Sequence, residues 1–150
     1  MRKKYLFFIF FVVLLLTGCG QKTVMDQPSA DGNFYYNNKD LGFNLVLPPD
    51  FLYYQTQRKD GGNFIDIEFF TPTSDTAYPQ EIQSYAKPIV VRVFNNKDLW
   101  NENGDKNGFQ KLEKGNKIYA IKFWDKAPAD WKDKWSEEMK KGIIDGFRAD

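Results

Sequence analysis

Residues 64–70 read FIDIEFF, a stretch in which apolar and acidic side chains alternate. Successive side chains of a β-strand point to opposite faces, so a period of two indicates a strand with unlike faces. One face would carry three apolar side chains and the other two acids: Ile65, Ile67 and Phe69 against Asp66 and Glu68. The stretch therefore predicts a strand whose apolar face is turned toward a core.

Neighbouring stretches predict the rest of a sheet. Residues 43–47 (FNLVL) alternate in the same way and end at two prolines, which cannot donate to a strand ladder. The β-branched run 89–94 predicts a central strand. Weaker patterns predict strands at 34–36, 52–57, 108–113 and 117–124, tight turns at 60–63 and 114–116, and short helical segments at 79–85 and 97–101.

The spacing of apolar side chains changes near the end of the chain. Apolar side chains recur every four residues there, at Trp131, Trp135, Met139, Ile143 and Phe147. This spacing predicts an amphipathic helix over about 129–147, with Pro128 in its first turn. We expect its tryptophans to lie over the sheet, and a helix lying on a membrane surface is the alternative. The fold class is therefore α+β, an antiparallel β-sheet covered by a C-terminal amphipathic helix.

Two short motifs resemble a known family. Tyr35-Tyr36-Asn37 followed by 41–48 (LGFNLVLP) is similar to the opening of PsbP/Mog1-like domains, and 143–147 (IIDGF) is similar to their closing helix. The resemblance implies an α/β/α sandwich over residues 34–150. Its motifs encode packing, so it carries no functional residue over to this chain.

The first nineteen residues have the pattern of an export signal. Three basic residues at 2–4 precede an apolar run over 5–16, which is shorter than the roughly 20 residues that a membrane-spanning helix needs. The run ends in 16–19 (LTGC), which resembles the lipobox of bacterial lipoproteins. That resemblance implies cleavage between Gly18 and Cys19 and a diacylglycerol on the Cys19 sulfur. The alternatives are an uncleaved signal anchor and a buried N-terminal helix.

These features divide the chain into three parts. We expect residues 1–18 to be a lipoprotein signal peptide, 19–33 a lipidated flexible tether and 34–150 a single α+β domain. The protein would be exported and held by membrane lipid through Cys19. Because Gly20 is not Asp, a Gram-negative host would place it on the outer membrane, and any other bacterium on the outer face of the plasma membrane.

Composition excludes several classes of function. The chain has 21 basic and 20 acidic residues, and without residues 1–18 it has 18 and 20, a net charge of −2. That balance argues against a nucleic-acid partner. There is no histidine and one cysteine, which excludes Ser-His-Asp and Cys-His catalysis and His-ligated metals. The sequence indicates no cofactor, no catalytic residue and no resident metal.

The candidate polar surface consists of four side chains on neighbouring predicted strands: Asp66, Glu68, Arg92 and Lys122. Cross-strand ion pairs on a partly solvated sheet face would explain all four. The two acids lie about 7 Å apart along one strand face. Carboxyl pairs at comparable separations serve retaining glycosidases, so a hydrolase and a polar ligand surface are the alternatives.

The loop over 103–114 partly matches a calcium-binding pattern. Asn103, Asp105, Asn107 and Gly108 occupy positions 1, 3, 5 and 6, but position 12 is Lys114 where a bidentate Glu is needed. Loops rich in Asn, Asp and Gly are also ordinary turns. Calcium binding at this loop therefore stays an open alternative.

We expect a membrane-anchored envelope lipoprotein that acts as a non-enzymatic protein-interaction or assembly module. Its partner would be an envelope protein, bound at a sheet edge or at the loop 95–108. The alternatives are a carrier of a small ligand or metal and, last, a carboxylate-based hydrolase. Adjacent aromatic pairs could add a binding patch, with Tyr36 or Tyr54 on an open face.

Overall fold

The computed structural model describes residues 27–103, 107–112 and 117–149. They form a mixed α+β fold with antiparallel sheets and few helices. The strands are β1 (Phe34–Asn38), β2 (Phe43–Leu47), β3 (Gln55–Asp60), β4 (Phe64–Pro72), β5 (Tyr85–Phe94), β6 (Gln110–Leu112), β7 (Ile118–Phe123) and β8 (Arg148–Ala149). The α-helices are α1 (Lys97–Asn103) and α2 (Glu137–Asp145), and 3-10 turns cover Pro49–Phe51 and Ala129–Trp131.

The strands form two sheets. The larger has the order β3-β4-β5-β7-β6 and the smaller the order β1-β2-β8, and each pair of strands in the described residues is antiparallel. The predictions of strands at 43–47, 64–70 and 89–94 are confirmed, and the last of these lies at the centre of the larger sheet. One sheet was expected from the sequence, and the structure has two.

The core lies between the two sheets. Phe43, Leu45 and Leu47 of β2 are fully buried, as the alternation predicts, and belong to one apolar cluster with Phe69 and Ile89 of the larger sheet. The sheets are also joined by rings and by a hydrogen-bonded phenol. The ring centroids of Tyr36 and Phe69 lie 4.9 Å apart, and the Tyr119 hydroxyl donates to the carbonyls of Leu41 and Gly42.

The predicted hairpin turn at 60–63 is confirmed. It joins β3 to β4, Gly62 has a φ of +80°, and its N–H donates to the Asp60 carboxylate. The preceding strand begins later than predicted, at Gln55, because the chain makes a 3-10 turn over Pro49–Phe51 and then a further turn.

The helix predicted at 79–85 is wrong. This segment is a loop that ends in an isolated bridge between Ile82 and Tyr85. The Gln80 side chain holds it in a non-helical path, since its amide donates to the Asp75 carbonyl and its oxygen accepts from the Ser84 N–H. The helical segment predicted at 97–101 is confirmed as α1, which continues to Asn103.

The single helix predicted over 129–147 is also wrong. Ala129–Trp131 is a 3-10 turn, and α2 begins only after Ser136, whose hydroxyl accepts from the Met139 N–H. Such a side-chain cap starts a new helix, so the earlier turn and α2 do not merge. The chain then leaves α2 at Gly146 and adds β8 to β2, a strand that the periodicity did not predict.

Trp131 is buried and Trp135 partly buried, although neither lies on an α-helix. The ring centroid of Trp124 lies 5.6 Å from that of Trp131 and 5.0 Å from that of Trp135. They cover the end of β7 as an aromatic cluster, while α2 lies against β2 of the smaller sheet. Within the described residues, no helix is both long and apolar enough to cross a membrane.

Candidate functional site

The outer face of the larger sheet, opposite the core, carries the candidate polar residues. We define the polar layer as six charged side chains on this face and on the loop beside it: Lys59, Asp66, Glu68, Glu81, Lys87 and Arg92. Strand register places three of these side chains side by side, since Lys59 of β3 and Arg92 of β5 are the cross-strand neighbours of Asp66. Directly opposed side chains on one face lie within contact distance.

Asp66 and Arg92 form a two-pronged ion pair. The Arg92 Nε lies 2.7 Å from Oδ1 of Asp66, and its Nη2 lies 2.8 Å from Oδ2. The guanidinium is also held between two rings, 3.6 Å from the Phe64 centroid and 4.3 Å from the Phe109 centroid. Bidentate and cation–π contacts both fix orientation, so this pair is a rigid part of the sheet.

Glu68 belongs to a closed ring of four charges. Its Oε1 accepts from Lys87 at 2.7 Å, and its Oε2 lies 2.8 Å from the Lys59 ammonium as an ion pair without hydrogen-bond alignment. Glu81 closes the ring from the loop after β4, with its carboxylate 2.9 Å from Lys59 and in contact with Lys87. Each acid therefore touches both lysines.

The contacts of this ring shift the pKa of two of its members. Glu68 and then Glu81 raise the pKa of Lys59 above its ordinary value of 10.5. Lys87 and then Lys59 hold the pKa of Glu81 below its ordinary 4.5, against a smaller opposing effect of burial. The polar layer as a whole has three acids and three bases, so its charges neutralise one another.

Both candidate carboxylates are buried, which corrects the expectation of a partly solvated face. Asp66 is 8% exposed and Glu68 5%. A general acid needs a proton that it can give up, and a nucleophile needs an open approach. Each of these carboxylates faces cations on both oxygens, an arrangement that disfavours both roles. The geometry therefore suits a structural layer better than a hydrolytic pair.

The structure brings three of the four predicted surface residues into this layer. Lys122 does not join it: it lies opposite Val90, with no ion pair to any residue in the described part of the chain. Sequence reasoning missed Lys59, Lys87 and Glu81. The 60–63 turn fixes the register that places Lys59 opposite Asp66, so the position of Lys59 on this face could have been found, but not its pairing with Glu68 and Glu81. Glu81 lies on a loop, where no pattern gives its position.

A second candidate is a groove of about 500 Å³ between the loops 73–80 and 125–132. Two aspartates tie the loops together: the Asp130 carboxylate accepts from Thr73 and Ser74, and Asp75 accepts from the Ala129 N–H. Burial acts to raise the pKa of Asp130, and these hydrogen bonds outweigh it, so the net shift is downward. The side chains lining the groove include Tyr78, Asp125, Lys126 and Lys132.

Of the adjacent tyrosine pairs, Tyr35-Tyr36 lies on β1 and Tyr53-Tyr54 lies just before β3, and the exposed members are not those predicted. Tyr36 and Tyr54 pack against the core. Their neighbours Tyr35 and Tyr53 are 53% and 55% exposed. Leu52 is 47% exposed, and across the residues that the structure describes no other large hydrophobic side chain is so open.

Asp105 and Lys114 of the calcium-like loop lie outside the described residues, so calcium binding at this loop stays an open alternative. Elsewhere in the described residues, no group of three or more acidic or cysteine side chains could hold a metal ion. Cys19 and Gly18 also lie outside the described part. Comparison with models of known protein families, with curated proteins and with solved structures finds no match to this chain.

Proposed function

We propose that this protein is a membrane-anchored envelope lipoprotein, held by lipid on Cys19. The support is the coincidence of three features at the N-terminus: basic residues at 2–4, an apolar run too short to span a bilayer, and the lipobox-like 16–19. Residues 1–18 would be removed, 19–33 would be the tether, and 34–150 the domain. A diacylglycerol provides two chains, which anchor a protein stably where one does not.

Substitution of the cysteine tests the anchor. Cys19→Ala removes the sulfur that would carry the lipid, so we expect the protein to leave the membrane fraction. Ser29→Ala is the matched control, a change of similar size in the tether outside the motif, and should stay membrane-bound. Retention of Cys19→Ala in carbonate-washed membranes would overturn the anchor.

We further propose that the domain is a non-enzymatic protein-interaction or assembly module, with an envelope protein as partner. The observation that carries this is the contrast between a self-neutralised polar layer and an open sheet edge. β3 is one of the two edge strands of the larger sheet, and five of its six residues are exposed. An exposed edge presents unpaired N–H and C=O groups.

Strand addition is the recognition mode that this edge suits. A partner segment in extended conformation could pair with Gln55–Asp60 and extend the larger sheet by one strand. Backbone hydrogen bonds would give affinity, and alternate side chains such as Thr56 and Arg58 would give specificity. The charged side chains of β3 limit unspecific edge-to-edge association, which fits a selective surface.

Site-directed photo-crosslinking tests this surface. A photoreactive amino acid replaces Thr56 or Gln57, which point to opposite faces of the edge strand, and Lys126 serves as an exposed control away from it. In intact cell envelopes we expect one defined adduct at one or both edge positions and none at Lys126. An adduct pattern that is the same at all three positions, or absent from all, would overturn the edge as the binding surface.

A small-ligand carrier is the second candidate. The groove between the loops 73–80 and 125–132 has the size of a small-molecule site and a rigid frame. The carrier function is less well supported than the interaction module, because the groove is open to solvent and its lining combines acids with lysines. A hydrolase based on Asp66 and Glu68 is the third, and the ion pairs on both carboxylates count against it.

We also propose a PsbP/Mog1-like relationship for the domain. Two motifs that resemble that family support it: one spans β1, β2 and the turn between them, and the other is the segment from Ile143 to Phe147. Phe43 and Phe147 from these motifs stack on each other at 5.5 Å. The resemblance thus falls on residues that pack together in the core.

A further inference from the structure

The exposed apolar side chains are a distinct feature of this fold. We define the exposed tip as Tyr35, Leu52 and Tyr53, each about half exposed. Tyr53 has a φ of +62°, a left-handed conformation that is rare for a bulky aromatic residue. Its backbone carbonyl accepts from the Tyr85 hydroxyl at 3.4 Å. The turn is therefore held in a conformation that directs two large side chains into solvent.

The exposed tip lies where the proposed tether joins the domain. The Tyr35 hydroxyl donates to Asp31 at 2.7 Å. A Cβ placed on Gly32 would lie 3.4 Å from Pro49 Cγ, and Pro49 opens the 3-10 turn that leads directly into Leu52. Each part of the exposed tip is therefore linked to residues 31–32 by a direct contact or by one short turn.

We propose that the exposed tip is a second membrane contact, which inserts into the headgroup layer of the bilayer that holds the lipid anchor. This inference rests on the proposed anchor at Cys19. It assigns to the domain an orientation, with Tyr35 of β1 and the turn at Leu52 and Tyr53 toward the lipid and the β3–β4 hairpin turn away from it.

The position of the tether selects a bilayer as the partner. From Cys19 to Gly32 the chain can extend at most about 45 Å, so the lipid surface stays within reach of the tip. A tethered contact acts at an effective concentration in the millimolar range, which makes a small apolar surface sufficient. Tyrosine also prefers the membrane interface, where its ring is buried and its hydroxyl stays hydrated.

The charge of the protein predicts how insertion of the tip depends on lipid composition. After removal of 1–18 the chain has a net charge of −2, and the tip itself has no basic residue. Insertion would therefore depend on apolar contact and not on anionic lipid. Phosphatidylcholine vesicles should support it as well as vesicles that contain phosphatidylglycerol.

A fluorescent probe on the anchored full chain tests the contact. Cys19 is the single cysteine and its sulfur would carry the lipid, so an introduced cysteine is labelled uniquely. The lipidated protein carries an environment-sensitive dye at Leu52→Cys and is reconstituted in phosphatidylcholine vesicles with and without brominated acyl chains. Asn95→Cys is the matched control, exposed and past the far end of β5, about 30 Å from Tyr85 along that strand.

We expect the dye at Leu52→Cys to show blue-shifted emission and quenching by brominated lipid, and the dye at Asn95→Cys to show neither. Adding Tyr35→Ser and Tyr53→Ser to Leu52→Cys should reduce the quenching, with unchanged emission from the buried tryptophan cluster as the check on folding. Equal behaviour of the two dyes on protein that floats with the vesicles would overturn the tip contact alone. Failure of unlabelled protein to float would overturn the anchor, and the tip contact with it.

Discussion

The two faces of the larger sheet are built from the same strands and behave differently. The inner face of β4 and β5 is apolar, with Phe69 and Ile89 fully buried against the smaller sheet. The outer face buries Asp66 and Glu68 among cations. An apolar face is stabilised by removal of its own surface from water, whereas a charged one is stable only while every partner is in place.

Phe69→Ala tests the inner face and has the largest expected effect. It removes a ring that contacts Tyr36 and Tyr54 and leaves a cavity between the sheets. We expect a loss of about 4 kcal/mol in the free energy of unfolding, measured by urea denaturation. Tyr53→Ala is the control, because its ring is exposed, and should change stability by less than about 0.5 kcal/mol.

Arg92→Met tests the outer face. It leaves the Asp66 carboxylate buried without its bidentate partner, and we expect a loss of about 3 kcal/mol. Asp66→Leu combined with Arg92→Met removes both charges, so the double variant should recover much of this loss. A double variant less stable than Arg92→Met would show that the loss does not come from leaving the buried Asp66 carboxylate unpaired.

Glu81→Gln tests the exposed side of the charge ring. The Glu81 side chain is 52% exposed, so solvent screens its contacts with Lys59 and Lys87. We expect a loss of about 0.5 kcal/mol that disappears in molar salt. A larger loss that persists in high salt would show that this ring behaves as a buried network.

The pH dependence of the same variant gives the smallest effect. The folded-state pKa of Glu81 lies below its ordinary 4.5, so its contribution to stability is present above that pH and is lost as the pH falls through the folded value. The difference in melting temperature between the protein and Glu81→Gln should therefore shrink as the pH falls below 4.5. A difference that grows toward acid pH would reverse the assigned sign.

The core-facing sides of the two sheets could be predicted from the sequence, because period-two alternation in 43–47 and 64–70 identifies the apolar side chains that face the core. The hairpin turn also placed Lys59 on the outer face, opposite Asp66, although its ion pairs are with Glu68 and Glu81. Glu81 could not be placed, since it comes from a loop. The split of the last helix had a local signal that periodicity concealed, the cap at Ser136 followed by two glutamates.

The smaller sheet was missed for a different reason. β8 has only two residues, Arg148 and Ala149, and its pairing with β2 joins segments about a hundred positions apart in the chain. No local pattern reports such a pairing. Likewise, alternation predicts that one ring of Tyr35-Tyr36 faces outward, but only the fold decides which of the two it is.

We propose that the mature protein begins at a lipid-modified Cys19. Intact-mass measurement of the protein purified from membranes tests this most directly. We expect the mass of a chain that starts at Cys19 plus a diacylglyceryl group, with any further acylation adding to it. An unmodified chain that starts at Met1, at 17.6 kDa, would contradict it.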